Sequence, residues 1–202
     1  MMTDSIDEWL KALRDTVMVA RANYEIGWVY KAKESRERFF QTMEAYPGFF
    51  RTGIHAHFVA SILALYCLYE RRDDTFNIPG FLKRLEASGR FDKADLQTFK
   101  GMEDQARDVW EKVRALRNKV FAHKDLAKAA ADRFAEVSLK AGELKELLTA
   151  TEDLLNRASK AWKRDTYPFG ALRAREDAVR VLKDLRRAAR CTAEDAQDAY
   201  NG

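Results

Sequence analysis

Histidine and cysteine are scarce in this chain, at 3 and 2 among 202 residues. Cys67 and Cys191 cannot build a disulfide framework, nor a zinc site made of cysteine alone. His55, His57 and His123 leave imidazole chemistry few candidates. With 9 Gly and 3 Pro, the chain lacks the turns an all-β protein needs. It also lacks a GxxxxGK[ST] loop for nucleoside triphosphates, a GxGxxG and an HExxH. His55 and His57 stand two apart, about 200° around a helix, so they cannot readily share a metal. No cofactor and no metal is expected. Charge of one sign is nearly lacking too: 36 Lys+Arg against 32 Asp+Glu leave a formal net charge of +4.

At 47% hydrophobic the chain is too apolar to be disordered, and its length suits one domain or two small ones. The stretch MMTDSIDEWLKALRD is acidic, with no basic region leading into an apolar run, so no secretory leader is expected. FVASILALYCLY, the most apolar run, has 12 residues, short of a bilayer span and suited to a buried core helix. Cys67 lies in that run and reads as a buried packing residue. The expectation is a cytoplasmic protein that makes no membrane contact.

Helical periodicity runs through nearly the whole sequence. Leu10, Leu13, Val17, Tyr24 and Trp28, continued by Phe39, Phe40 and Met43, predict one or two helices over about 4–46, ended by Pro47-Gly48. Ile54, Phe58, Ile62, Leu65 and Tyr69 stripe a helix over about 49–71. Asn77 caps a short helix through Leu85, with Pro79 in its first turn and Ser88-Gly89 closing it. Phe99, Met102, Ala106, Val109, Val113, Leu116 and Val120 alternate steps of 3 and 4, the cleanest amphipathic pattern in the chain, over about 93–122. Further helices are expected over about 126–140, with Asp125 as cap, over about 142–165, and over about 171–190. Thr192 is positioned to cap a short acidic tail. Trp9, Trp28, Trp110 and Trp162 all fall on helical segments and read as packing residues. The predicted class is all-α, a bundle of long antiparallel helices in one domain, with residues 1–48 as a helical extension packed on it.

One segment carries chemistry: RNKVFAHKD, at the end of the cleanest helix. Arg117 can fork onto a phosphate, and His123 titrates where general acid or base work is done at neutral pH. Six residues turn an ideal helix by about 600° and advance it about 9 Å, so the two face one phosphate only if the helix ends near Ala122 or a second chain supplies a partner. The bland alternative stays open. In it Arg117 pairs with a carboxylate, and His123 caps the helix C-terminus, where the dipole favours a cation.

RNKVFAHKD resembles the R-x4-6-H signature of the HEPN superfamily (higher eukaryotes and prokaryotes nucleotide-binding). Its setting, an aliphatic helix, then YERRDDTFNIPGFLKRL, the motif and ELKELLTATEDLLNRA, resembles the abortive-infection AbiU-like branch over roughly residues 49–189. The resemblance implies an all-α bundle and a homodimer whose two motifs meet at the interface. It implies a metal-independent endoribonuclease, in phage defence or a toxin–antitoxin pair, with RNA and a separately encoded antitoxin as partners. By the same resemblance Arg117 holds the scissile phosphate, His123 is the general acid or base, and Asn118 orients the site. Arg114, Lys119 and Lys124 are phosphate-contact candidates on charge and proximity alone. A non-catalytic RNA- or nucleotide-binding module, or a helical interaction scaffold, are the alternatives.

The segment 171–190 holds Arg173, Arg175, Arg180, Lys183, Arg186, Arg187 and Arg190 against Glu176, Asp177 and Asp184. Its excess of 7 − 3 = +4 equals that of the whole protein. It reads either as a solvated outer face or as a contact for an RNA backbone.

Overall fold

The computed structural model describes residues 5–118 and 139–201, and among them every regular element is helical. The all-α class expected from periodicity is therefore the one observed. The helices are α1 (Ile6–Lys31), α2 (Lys33–Glu44), α3 (Pro47–Tyr69), α4 (Ile78–Ala87), α5 (Lys93–Leu116), α6 (Ala141–Lys163) and α7 (Ala174–Asn201). Contacts divide the chain into two units, Met1–Arg21 with Ser61–Phe169, and Ala22–Ala60 with Gly170–Gly202.

In the first unit α5 packs on both α4 and α6. Phe99, Ala106, Val113 and Leu116, from the stripe read in the sequence, are buried beside Leu10, Leu13, Leu65, Phe81, Leu147 and Leu155. Each Leu or Phe so buried contributes about 1.5–3 kcal/mol relative to exposure. Several polar groups inside are paired, while Trp9 Nε1 and Arg14 Nε are buried without a hydrogen-bond partner among the described residues. Arg14 Nη2 donates to Ser159 Oγ at 2.6 Å, and its guanidinium lies 5.4 Å from the Tyr167 ring centroid. Thr151 Oγ1 donates to the Leu147 carbonyl at 2.7 Å, so the Tyr69 hydroxyl, 2.8 Å away, is the donor to Thr151. Burial pushes the Tyr69 hydroxyl well above the ordinary tyrosine range.

Asn77 caps α4 as read, its Oδ1 accepting from the Gly80 N–H at 2.8 Å. Its Nδ2 also donates to the Arg72 and Thr75 carbonyls, at 2.6 and 3.0 Å, which ties down the chain leading out of α3. A Cβ at Gly80 would stand 2.8 Å from Trp9 Cη2, so the residue type there is set by close approach. Gly89 takes φ +66 just past α4, the left-handed stop expected of Ser88-Gly89.

In the second unit α2 packs on α7. Its core is Val29, Tyr30, Phe39, Met43, Phe50, Ala178 and Leu182. Phe39 departs from helical geometry, with φ −119 and ψ 21. The Arg38 carbonyl beside that kink accepts from Arg186 Nη1 at 3.3 Å. Here α1 and α3 approach closely, a Cβ at Gly27 falling 3.3 Å from His57 Cβ.

The first segment forms two helices, within the one or two expected, with the break at Ala32 in extended backbone. Other boundaries differ from the sequence reading. Pro47 opens α3 instead of ending the helix before it, because a first-turn proline forfeits no helical hydrogen bond. The last helix starts at Ala174 and runs through position 192 to Asn201, so Thr192 lies inside the helix instead of at the start of a separate one, and Arg173 precedes the helix. Cys67 is exposed instead of buried, on the side of α3 turned away from Leu65 and Leu68. The expected helix over 126–138 and its cap Asp125 lie outside the described residues; Leu139 and Lys140 are not helical.

At 23 residues α3 is long and apolar enough, by length and composition alone, to cross a membrane. It also carries Arg51, His55 and His57 and buries Phe50, Ile62, Leu65 and Leu68, while 28% of its apolar window is buried overall.

Candidate functional site

The end of α5 is anchored by Trp110, Val113 and Leu116, all buried. Beyond Leu116 the chain continues through Arg117 and Asn118 in a wider, π-type turn. Such turns reset helix phase and recur at functional sites. The ideal-helix spacing used for the sequence therefore stops applying at Arg117 itself.

Arg117 is half-buried, and its guanidinium carbon lies 4.8 Å from the Tyr66 ring centroid. Its Nη1 donates to Asn118 Oδ1 at 3.0 Å. Among the described residues, no carboxylate forms an ion pair with Arg117. Tyr66 in turn stacks near Trp110, centroids 6.3 Å apart and planes 20° from parallel, and its carbonyl accepts from Trp110 Nε1 at 3.2 Å. Arg114 lies 5.7 Å from the Trp110 ring centroid and pairs with Glu111 at 2.6 Å. The order is cation, ring, ring, cation, and it joins α3 to α5.

The structure places Arg117 and Asn118 in hydrogen-bond contact. Arg114 belongs to the same stack, but its charge is engaged by Glu111. Lys119, His123 and Lys124 lie outside the described residues. Tyr66 and Trp110 were not read as site residues. Tyr66 stands far from Arg117 along the chain and sits among apolar residues, so spacing gave no signal; Trp110 read as packing, which is half of what it does.

Cys67 adjoins Tyr66. Shielding of its thiol and the nearby Glu70 carboxylate raise its pKa, against the opposing pull of Arg117 and Arg72. A thiol held protonated is a poor nucleophile. His55 is exposed, whereas His57 is half-buried with Nδ1 2.8 Å from Asn23 Oδ1, and burial lowers its pKa. One ring toward solvent and one at the core edge is the reading the sequence supported. Among the described residues no cluster of His, Cys, Asp and Glu is placed to hold a metal ion.

The basic segment is partly neutralised by its own neighbours. Arg180 pairs with Asp177 at 3.6 Å, Arg187 pairs with Asp184 at 2.9 Å, and Arg186 is spent on the α2 kink. That favours the solvated-face reading for Arg180 and Arg187, since exposed pairs of this kind hold their charge locally, while Arg186 is tied to the α2 backbone.

An all-α bundle whose cleanest amphipathic helix ends on an Arg-Asn pair, with a His six residues after the Arg, has the architecture and motif of a HEPN domain. The chain belongs to the HEPN_AbiU2 family, described as AbiU2, whose model matches residues 3–181. No curated protein and no solved structure matches it.

Proposed function

We propose that this protein is a HEPN-type, metal-independent endoribonuclease that works as a homodimer in phage defence or as the toxin of a toxin–antitoxin pair. The observation that carries the reading is the state of Arg117. A buried-edge arginine normally meets a carboxylate; among the described residues this one rests on an aromatic face and an amide oxygen instead. An arginine held in that way keeps in-plane N–H groups with which to bind a phosphate.

In this reading Arg117 binds the scissile phosphodiester and stabilises the charge that grows on its oxygens. Asn118 holds the guanidinium through Oδ1. The RNA's 2′-OH attacks the adjacent phosphorus, the bond from phosphorus to the 5′ oxygen breaks, and the products are a 2′,3′-cyclic phosphate and a 5′-OH. One proton leaves the 2′ oxygen and one reaches the 5′ oxygen, and His123 is the group whose ordinary pKa suits that exchange. Leu63 and Cys67, exposed on α3 beside Tyr66, form the surface a second copy would cover.

The test is RNA cleavage in the presence of EDTA. Wild-type protein yields fragments with cyclic phosphate ends, and Arg117→Ala and His123→Ala each abolish them. Intact RNA across several substrates, alone and after removal of any bound partner, overturns the enzyme reading. Salt-dependent RNA binding that survives His123→Ala without cleavage would identify a binding module instead.

A further inference from the structure

We propose that Tyr66 is a positioning residue for Arg117, and that its ring face is what fixes a half-buried arginine that meets no carboxylate among the described residues. The inference rests on the assignment of Arg117 to phosphate binding.

A guanidinium can be held in two ways. A carboxylate takes its donor fork and cancels its charge, leaving little for a substrate. An aromatic ring beneath it attracts the cation through the ring's negative face and leaves the N–H groups, which lie in the guanidinium plane, pointing outward. Arg117 is held in the second way, 4.8 Å above Tyr66, with one donor used on Asn118 at 3.0 Å. Arg114, one turn earlier, shows the first arrangement: it lies near a ring, yet Glu111 at 2.6 Å takes its charge. Two arginines of one helix end flank the same pair of rings, and only Arg117 is left without a carboxylate among the described residues.

The platform is itself held in place. The Trp110 Nε1–H bond to the Tyr66 carbonyl, at 3.2 Å, pins the α3 backbone at the residue that carries the ring. Trp110 is buried and lies nearly parallel to Tyr66, so the ring is backed by a fixed surface. Among the described residues the Tyr66 hydroxyl makes no hydrogen bond, so the face of the ring, not its oxygen, does the holding.

The experiment measures single-turnover cleavage of a mixed-sequence single-stranded RNA, and RNA affinity alongside it. The proteins are the wild type, Tyr66→Phe, Tyr66→Leu, Tyr66→Met, Arg117→Ala and the double variant Tyr66→Leu/Arg117→Ala. Tyr66→Phe is expected to stay within about twofold of wild type, and the Leu and Met variants to lose roughly tenfold. In the Arg117→Ala background, where cleavage is lost and the cycle is read in RNA affinity, Tyr66→Leu should add nothing, because its effect passes through Arg117. That non-additivity, with rescue by Phe, would not arise from a general packing defect. If the Leu and Phe variants are indistinguishable from each other, or if the Tyr66 and Arg117 losses multiply, the Tyr66 proposal falls while the nuclease reading stands. If wild-type protein binds RNA without cutting, the nuclease reading falls, and the same coupling read in affinity decides the Tyr66 proposal. A wild-type protein that neither binds nor cuts RNA overturns both. Thermal melting identifies any variant that fails to fold; Tyr66→Met supplies the comparison if Tyr66→Leu does.

Discussion

Asn77 offers a sharp test of how the α3–α4 corner is built. The side chain is buried and makes contacts of two kinds. Oδ1 caps α4 through the Gly80 N–H at 2.8 Å, and Nδ2 donates to the Arg72 and Thr75 carbonyls at 2.6 and 3.0 Å. Loss of a cap costs about 1 kcal/mol, and each hydrogen bond contributes about 1 kcal/mol net. Asn77→Ala should therefore destabilise by about 2–3 kcal/mol. Asn77→Ser keeps a capping oxygen and loses the donor, for about 1–2 kcal/mol. Asn77→Asp is the decisive variant. Asp and Asn cap helices equally well, but Asp turns an oxygen toward two carbonyl oxygens where Nδ2 now donates. It should do no better than Ala. Urea unfolding followed by circular dichroism, with midpoints compared at constant slope, measures all three. A wild-type midpoint for Asn77→Asp would refute the donor half of the reasoning. A cost below about 0.5 kcal/mol for Asn77→Ala would refute both halves.

Two further outcomes test the packing and the electrostatics. Gly80→Ala should lower the melting temperature although Ala favours helix, because the added Cβ meets Trp9 Cη2 at 2.8 Å and overpacking costs about 1–3 kcal/mol; an unchanged or raised temperature refutes the close approach. The Lys112 ammonium, followed by the Lys140 N–H, holds the Glu143 carboxyl below its ordinary 4.5. The stability this contributes is present above the unfolded-state value and is lost as pH falls through the depressed folded-state value. Lys112→Met should therefore unfold at lower urea than wild type at pH 7, with the difference closing on strong acidification; a gap that persists in acid refutes the linkage.

What could be read in advance follows the range of each interaction. The Asn77 cap and the α5 stripe are local patterns, fixed by neighbours within a turn or two; the cap stands as read, and of the stripe Phe99, Ala106, Val113 and Leu116 are buried while Val120 lies outside the described residues. The break at Ala32 and the unbroken helix across Thr192 reverse local signals, since alanine favours helix and threonine favours caps. At the site, Arg117 and Asn118 were legible because the motif is contiguous. The Tyr66 platform was not, because it forms only when α3 lies against α5.

Taken alone, the sequence determined the all-α class, the order of the helices and the Arg-Asn-to-His motif, since periodicity and contiguous residues carry that information directly. Tertiary structure decided which groups surround the motif. It placed Tyr66 under Arg117, set Glu111 on Arg114, and turned Cys67 outward on α3. A residue's partner across the fold depends on how two helices pack, and no pattern along one helix encodes the face of another.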